Sequence, residues 1–205
     1  MKHKNSFRFI LLVLIATHQS YAQDLPFKRT SVRTGLGVGY NDGKKESGIG
    51  ILYSIGWQKS FGKKNRIRLN PNLMIGGFLP LGITDTRDQF YRITSIGVNL
   101  HCDLIKYKAV SIVITGGSFL NYSRGLLGTG GWPETNNNNS EYFRDLYFGG
   151  SISIGLRINP KNGKLAYEFR PFNIQVGNDD FILGYFMFGV DIKIKQYRSA
   201  NKDQE

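Results

Sequence analysis

Eight segments of this chain alternate apolar residues with small or polar residues at a period of two. Alternation of this kind is typical of β-strands that have one apolar and one polar face. The segments cover residues 32–40, 49–57, 67–75, 96–104, 110–115, 148–158, 165–170 and 186–194. Most of them are much longer than the ~5–6 residues of an ordinary strand, and they match the ~9–11 residues of a transmembrane strand. Strand length therefore favours a membrane barrel over a sandwich.

The connections between the segments fall into a short set and a longer set. The short set is polar and basic and covers residues 62–65, 106–108 and 159–164. The other set covers residues 41–47, 79–89, 123–142 and 177–180. If the chain starts in the periplasm, every short turn falls on the periplasmic side, as in bacterial barrels. An even strand count also closes without an unpaired edge. The sequence thus predicts an all-β fold, an eight-stranded antiparallel up-and-down transmembrane β-barrel.

The N-terminus has the three-part layout of a secretory signal peptide. Lys2, Lys4 and Arg8 form a basic start, Phe9–Ala16 is an apolar run, and small residues precede a cleavage point after Ala22. This run is too short to span a bilayer as a helix, which needs about 20 residues. The predicted parts are a cleaved signal peptide (1–22), a short periplasmic segment (23–30), the barrel (31–195) and a polar periplasmic tail (196–205). The predicted location is the cell outer membrane.

Composition limits the chemistry that the chain can carry. Its one cysteine excludes an internal disulfide and a multi-cysteine metal site, and we predict no metal and no cofactor. The formal net charge is +12, and removal of the predicted signal peptide with its three basic residues leaves +9. For an exported barrel we expect this charge to meet outer-membrane lipid and lipopolysaccharide phosphates rather than nucleic acid. Another envelope protein is a further candidate partner, and the oligomeric state is left open.

Three stretches give the chain a resemblance to a known class of barrel. They are Arg68–Leu73 (RLNPNL), Gly116–Tyr122 (GGSFLNY) and Gly184–Val190 (GYFMFGV). With them, residues 31–195 resemble the small eight-stranded outer-membrane barrels of the OmpX and OmpA-transmembrane-domain type. The chain is more closely similar to the PorT-like outer-membrane β-barrel domain of Bacteroidetes-type bacteria. The resemblance implies an integral outer-membrane protein.

The lumen of the predicted barrel holds the first candidate site. An eight-stranded barrel has an interior that side chains just fill, and buried charges must be paired. We expect a network among Arg157, Glu168, Arg170, Asp191 and Lys193. The narrow lumen favours a structural plug of paired charges over an ion or proton path.

Turn lengths also predict the strand register around this network. Counting from the 159–164 turn puts Arg157 near Ala166, on the diagonal to Glu168. Counting from the 177–180 loop puts Ala166 near Asp191. This register would bring the basic and acidic side chains together.

The connection 123–142 is the second candidate site. It holds Arg124, Leu126, Leu127 and Trp132, and apolar side chains on an exposed loop can meet a partner or dip into a membrane. A long segment without its own pattern is usually functional or disordered, so a solvated loop without a specific role is the alternative.

Aromatic residues cluster near the predicted strand ends, as the two interface girdles of a barrel require. The main candidates are Tyr40, Trp57, Phe61, Tyr107, Tyr122 and Tyr142. The outer girdle would also include Phe78, Phe90, Tyr91, Phe143 and Phe181.

The sequence favours a non-enzymatic outer-membrane barrel with a structural, adhesive or envelope-assembly role. One alternative is a soluble periplasmic lipocalin-like barrel that binds a small apolar ligand, which would place its Ile, Val and Phe residues inward. A second alternative is a lipid A-modifying enzyme with a catalytic serine and histidine. His101, the only histidine after the signal, lies near the periplasmic turn and points inward, which argues against catalysis at the outer leaflet.

Overall fold

The computed structural model describes residues 29–62, 65–80, 90–128, 140–160 and 164–196, and these residues form eight strands. The strands are β1 (Arg29–Asp42), β2 (Ser47–Phe61), β3 (Ile67–Pro80), β4 (Phe90–Tyr107), β5 (Val110–Gly128), β6 (Ser140–Ile158), β7 (Leu165–Gly177) and β8 (Ile182–Gln196). The predicted signal peptide, residues 23–28 and the tail from residue 197 lie outside the described residues.

The sheet closes on itself. Each strand pairs antiparallel with its neighbours in the chain, and β1 also pairs with β8. Closure gives every strand a partner on both sides, which removes the exposed edges of an open sheet. The prediction of an eight-stranded antiparallel up-and-down barrel is confirmed. In the part of the chain that the structure describes, no helix has the length and apolar character to cross a membrane.

The connections lie at two ends of the barrel. We call one the turn end, which carries connections 62–66, 108–109 and 159–164. The other is the loop end, which carries connections 43–46, 81–89, 129–139 and 178–181. All predicted short turns therefore share one end of the barrel.

Two strands reach further toward the loop end than predicted. β5 continues to Gly128 and β6 begins at Ser140, so the predicted loop 123–142 is wrong at both of its ends. Arg124 and Arg144 pair directly in this extension. These arginines occupy outward positions where the prediction required apolar residues, and this concealed the strand pattern.

Burial alternates along each strand and separates an apolar outer face from a filled interior. On β2, for example, Ile51 is 62% exposed whereas Leu52 is completely buried. The outward positions of all eight strands carry Ile, Leu, Val and aromatic residues. The inward positions carry glycines, polar and charged side chains, and a set of buried aromatic residues. This polarity is the reverse of a barrel that holds an apolar ligand inside.

Two prolines interrupt strand pairing, and asparagine side chains take over the lost hydrogen bonds. Pro71 has no N–H to donate across the β2–β3 ladder. The amide of Asn70 instead donates to the Trp57 carbonyl at 3.1 Å. Beside Pro171, in a bulge of β7, the amide of Asn173 donates to two main-chain carbonyls. These carbonyl groups thus keep a hydrogen-bond donor beside each proline.

The predicted register is partly right. Ala166 pairs with Asp191, as expected. Arg157 pairs with Glu168 and not with Ala166, so that prediction is wrong. Pairing between β6 and β7 begins at Ile158 and Tyr167, two residues later on β7 than the turn length implies. The shift brings Arg157 directly opposite Glu168 instead of diagonal to it.

Candidate functional site

The turn-end half of the lumen is built around Glu168 on β7. Arg33, on β1, donates two hydrogen bonds to the two carboxylate oxygens of Glu168, at 3.0 and 2.9 Å. Arg68 Nη1 on β3 lies 3.5 Å from the same carboxylate, and Arg170 Nε lies 3.6 Å from it. Glu168 and the three arginines are all buried. One carboxylate therefore connects three strands of the barrel.

Two further carboxylates extend this cluster. Arg157 Nη2 donates to Asp191 Oδ2 at 2.7 Å, and Gln58 donates to the same oxygen at 3.1 Å. Arg68 Nη2 donates to Asp103 Oδ1 at 2.6 Å. We call Arg33, Arg68, Asp103, Arg157, Glu168, Arg170 and Asp191 the lumen cluster. Its four arginines face three carboxylates, and this dense pairing is what buried charges require.

The structure brings together four of the five side chains predicted for this network. The fifth, Lys193, donates from its Nζ to the Pro160 carbonyl at the turn end at 3.1 Å. Sequence reasoning missed Arg33, Arg68 and Asp103 as members of the network. Arg33 lies opposite Asp191 only because β1 pairs with β8. Strand alternation alone carries no signal for that closing register.

His101 lies against the lumen cluster and is completely buried. Its Nδ1 is 2.8 Å from Thr115 Oγ1 and 4.0 Å from Glu168 Oε1. Both contacts involve the same ring nitrogen. A hydroxyl–imidazole–carboxylate relay needs the hydroxyl and the carboxylate on opposite ring nitrogens. This geometry does not provide one.

The loop-end half of the lumen is filled by aromatic and aliphatic side chains. Phe78 stacks on Tyr91 with ring centroids 5.2 Å apart, and Tyr147 stacks on Phe181 at 4.5 Å. Phe143 packs edge-on against Tyr91. We call these five rings the aromatic plug. All five are buried, together with Leu52, Ile93, Leu183 and Met187.

The prediction that Phe78, Tyr91, Phe143 and Phe181 belong to the outer girdle is wrong. Consecutive strand residues point to opposite faces. Phe90 and Tyr142 face outward, so the next residue along each strand points into the lumen. These next residues are Tyr91 and Phe143, and both are buried. In a cluster of aromatic residues at a strand end, the outward residues therefore join the girdle and the inward residues join the aromatic plug.

The connection 43–46 closes over the aromatic plug. The Tyr147 hydroxyl donates to Glu46 Oε2 at 3.0 Å and accepts from the Lys44 main-chain N–H at 3.1 Å. The Tyr91 hydroxyl donates to Asn41 Oδ1 at 3.0 Å. Glu46 is 1% exposed, and its burial raises the pKa of its carboxyl above the usual value. The buried carboxyl of Glu46 thus holds the 43–46 connection against the aromatic plug.

We expect the stability of the barrel to depend on the protonation of Glu46. A raised pKa in the folded state means that this group favours folding at low pH and that the benefit is lost as pH rises through that pKa. Glu46→Gln cannot ionise. The difference in free energy of unfolding between this variant and the wild type should therefore favour the variant more at pH 7.5 than at pH 4. Urea unfolding followed by tryptophan fluorescence at both pH values measures this. Glu141→Gln, at an exposed carboxylate, is the control, and an equal pH response of the two variants would contradict the assignment.

Little space remains between the lumen cluster and the aromatic plug. A void of about 10 Å³ lies there, lined by Arg33, Asn70, Arg170 and Met187 among others. That is about what a single water needs. A Cβ added at Gly35 would lie 2.9 Å from Met187 Sδ, so even the backbone is tightly covered. The two layers fill the described lumen.

The six main girdle candidates all lie on the outward face. Tyr40, Tyr122 and Tyr142 lie toward the loop end, and Trp57, Phe61 and Tyr107 lie toward the turn end. All six side chains are exposed, with Tyr107 the most exposed at 70%. This arrangement places aromatic rings at both ends of the apolar face.

The structure describes only some of the candidate residues of the predicted loop 123–142. Arg124 and Leu126 face outward on β5. Leu127 belongs to the same strand, but its side chain lies outside the described residues, as does the whole of Trp132. The site that these residues were predicted to form stays a prediction.

Comparison with solved structures gives two informative matches. Neisserial surface protein A is 13% identical, with a TM-score of 0.58, over 80% of this chain and 97% of that protein. The attachment invasion locus protein Ail of Yersinia pestis is 12% identical, with a TM-score of 0.54, over 82% of this chain and 99% of that protein. This chain shares their fold. The Ail structure holds the heparin analogue sucrose octasulfate. No protein-family model and no curated protein matches the chain.

Proposed function

We propose that this chain is a non-enzymatic integral outer-membrane β-barrel of the PorT-like and OmpX-like kind. One observation carries the proposal. A closed barrel presents an apolar outer face and encloses a charged cluster, so that the polarity of an ordinary protein is inverted. The surface-protein and attachment-protein barrels that share the fold support it.

The height of the apolar face fits a membrane. On β5, the outward positions from Ile112 to Tyr122 are uncharged. At the usual strand rise and tilt this stretch spans about 25 Å, which is the height of the lipid-facing band of such barrels. Aromatic residues lie at both ends of it. We infer that the turn end faces the periplasm and the loop end faces outward.

The filled lumen supports a role on the outer surface rather than in transport. An adhesive or envelope-assembly role on the outer surface would use the loop end, where Arg124 and Leu126 are exposed. The 129–139 connection, which contains Trp132, begins at the same end. Outer-membrane lipid, lipopolysaccharide or another envelope protein would be the partner. The lipocalin-like alternative requires an apolar lumen, and the lumen cluster opposes it. The lipid A-modifying alternative requires a catalytic histidine, and the buried geometry of His101 opposes that.

Fractionation of cells that express the chain tests this proposal. We expect the protein to stay in the outer-membrane fraction after a carbonate wash and to leave it only with detergent, because lipid contacts the whole outer face. On an unheated gel, the folded barrel should migrate differently from the boiled protein. Release by carbonate or salt without detergent would refute a membrane barrel.

A further inference from the structure

Three arginines form a row across the outer face near the loop end. Arg92 on β4 lies directly opposite Arg124 on β5, and Arg124 lies directly opposite Arg144 on β6. All three side chains are exposed and point away from the lumen. Directly opposite residues on paired strands have Cβ atoms about 5 Å apart. We call these residues the arginine row.

Nothing within the described part of the protein neutralises this row. None of the ion pairs among the described residues includes Arg92, Arg124 or Arg144. Arg92 lies over the Phe90 ring at 4.9 Å, and Arg124 lies over the Tyr122 ring at 6.0 Å. Such contacts orient a guanidinium but leave its charge in place. Like charges directly opposite each other destabilise a sheet, so the row needs an anion to offset the cost.

The surroundings of the row indicate which anion it would meet. On β4, β5 and β6, the outward positions between the row and the turn end carry no charge. The row therefore lies near the loop-end border of the apolar face, one outward position above the exposed ring of Tyr122 and one below the outward residues Phe90, Leu126 and Tyr142. In a membrane, phosphate groups of lipids occupy this level, and arginine side chains bind phosphate with a two-pronged geometry.

We propose that Arg92, Arg124 and Arg144 together bind the phosphate headgroup of an anionic lipid in the outer leaflet. The acyl chains of that lipid would lie along the apolar positions below the row, such as Leu146 and Phe148. This proposal rests on the proposed function for its orientation, because only then does the loop end meet the outer leaflet. It assigns the lipid partner to a specific surface.

The test measures binding of bisphosphorylated lipid A to the purified full chain in detergent micelles. The variant is R92Q/R124Q/R144Q. The matched control is K59Q/R66Q/K108Q, which removes three exposed positive charges at the turn end, two of which also lie over aromatic rings. A basic residue near an anionic lipid surface contributes roughly fivefold in affinity, so the row variant should bind about 100-fold more weakly. The control should stay within about threefold of the wild type, as expected for residues away from the site.

Each result decides the question. Equal loss in both triple variants would show a charge effect without a site and would overturn the proposal. Equal binding of dephosphorylated lipid A, or equally tight binding of inorganic phosphate, would also overturn it. Heat-dependent gel mobility shows whether each variant folds. If the triple variant does not fold, Arg124→Gln alone should weaken binding about fivefold.

The two proposals can fail separately. The micelle experiment does not depend on where the protein lies in a cell. Loss of lipid A binding with a barrel that still resists carbonate would leave the proposed function intact and overturn the arginine row. Release by carbonate would refute the membrane location itself.

Discussion

Replacing Glu168 by alanine should lower the free energy of unfolding by about 3–5 kcal/mol, because removal of one partner leaves buried charges uncompensated. Glu168 contacts Arg33, Arg68 and Arg170 inside the lumen. Its loss would leave four arginines with two carboxylates in the lumen cluster. The measurement is the urea midpoint of the barrel in lipid vesicles, together with the temperature at which its folded band disappears from a gel.

Two further variants separate charge from other effects. Glu168→Gln keeps the volume of the side chain and removes its charge, so it should lose most of the same stability. Glu141→Ala breaks the exposed pair with Lys45 and should cost less than about 1 kcal/mol. A wild-type midpoint for Glu168→Gln would show that the cluster fills space and does not hold the barrel together by charge.

The second large effect is expected on the outer face. Ile152 is an outward residue near the middle of β6, and it is 55% exposed in the isolated chain. Ile152→Arg should destabilise the barrel in lipid vesicles by about 2–4 kcal/mol, because it places a charge at the bilayer midplane. Urea unfolding in the same vesicles measures this loss.

Ile158→Arg is the matched control, since it makes the same change at the turn end of the same strand. It should cost only about 0–1 kcal/mol, because charges near the interface reach water. An exposed isoleucine on a barrel surrounded by water would tolerate arginine at either depth. Equal, small effects of the two substitutions would therefore contradict a lipid-facing outer surface.

Strand alternation was enough to predict the number and order of the strands, because an apolar outer face and a filled lumen impose a period of two on every strand. It was not enough where an outward position carries a charge. Arg124 and Arg144 concealed the ends of β5 and β6, and the sequence-based loop there was too long as a result.

The contents of the lumen were predicted less completely, because they depend on register between distant strands. The 177–180 loop gave the correct partner of Asp191 and the 159–164 turn gave the wrong partner of Arg157, whereas Arg33 joins them only through the pairing of β1 with β8. The aromatic plug escaped prediction for a related reason. Neighbouring rings such as Phe90 and Tyr91 look alike in the sequence, and only their positions in the pleat send one outward and the other inward.

The most direct test of the account asks which face of a strand meets lipid. In a Cys102→Ser background, single cysteines at Ser151, Ile152, Ser153 and Ile154 of β6 can carry an environment-sensitive fluorophore in vesicles that contain a lipid-attached quencher. We predict strong quenching at positions 152 and 154 and weak quenching at 151 and 153. Quenching with the opposite alternation, or none at any of the four positions, would contradict an inverted barrel in a membrane.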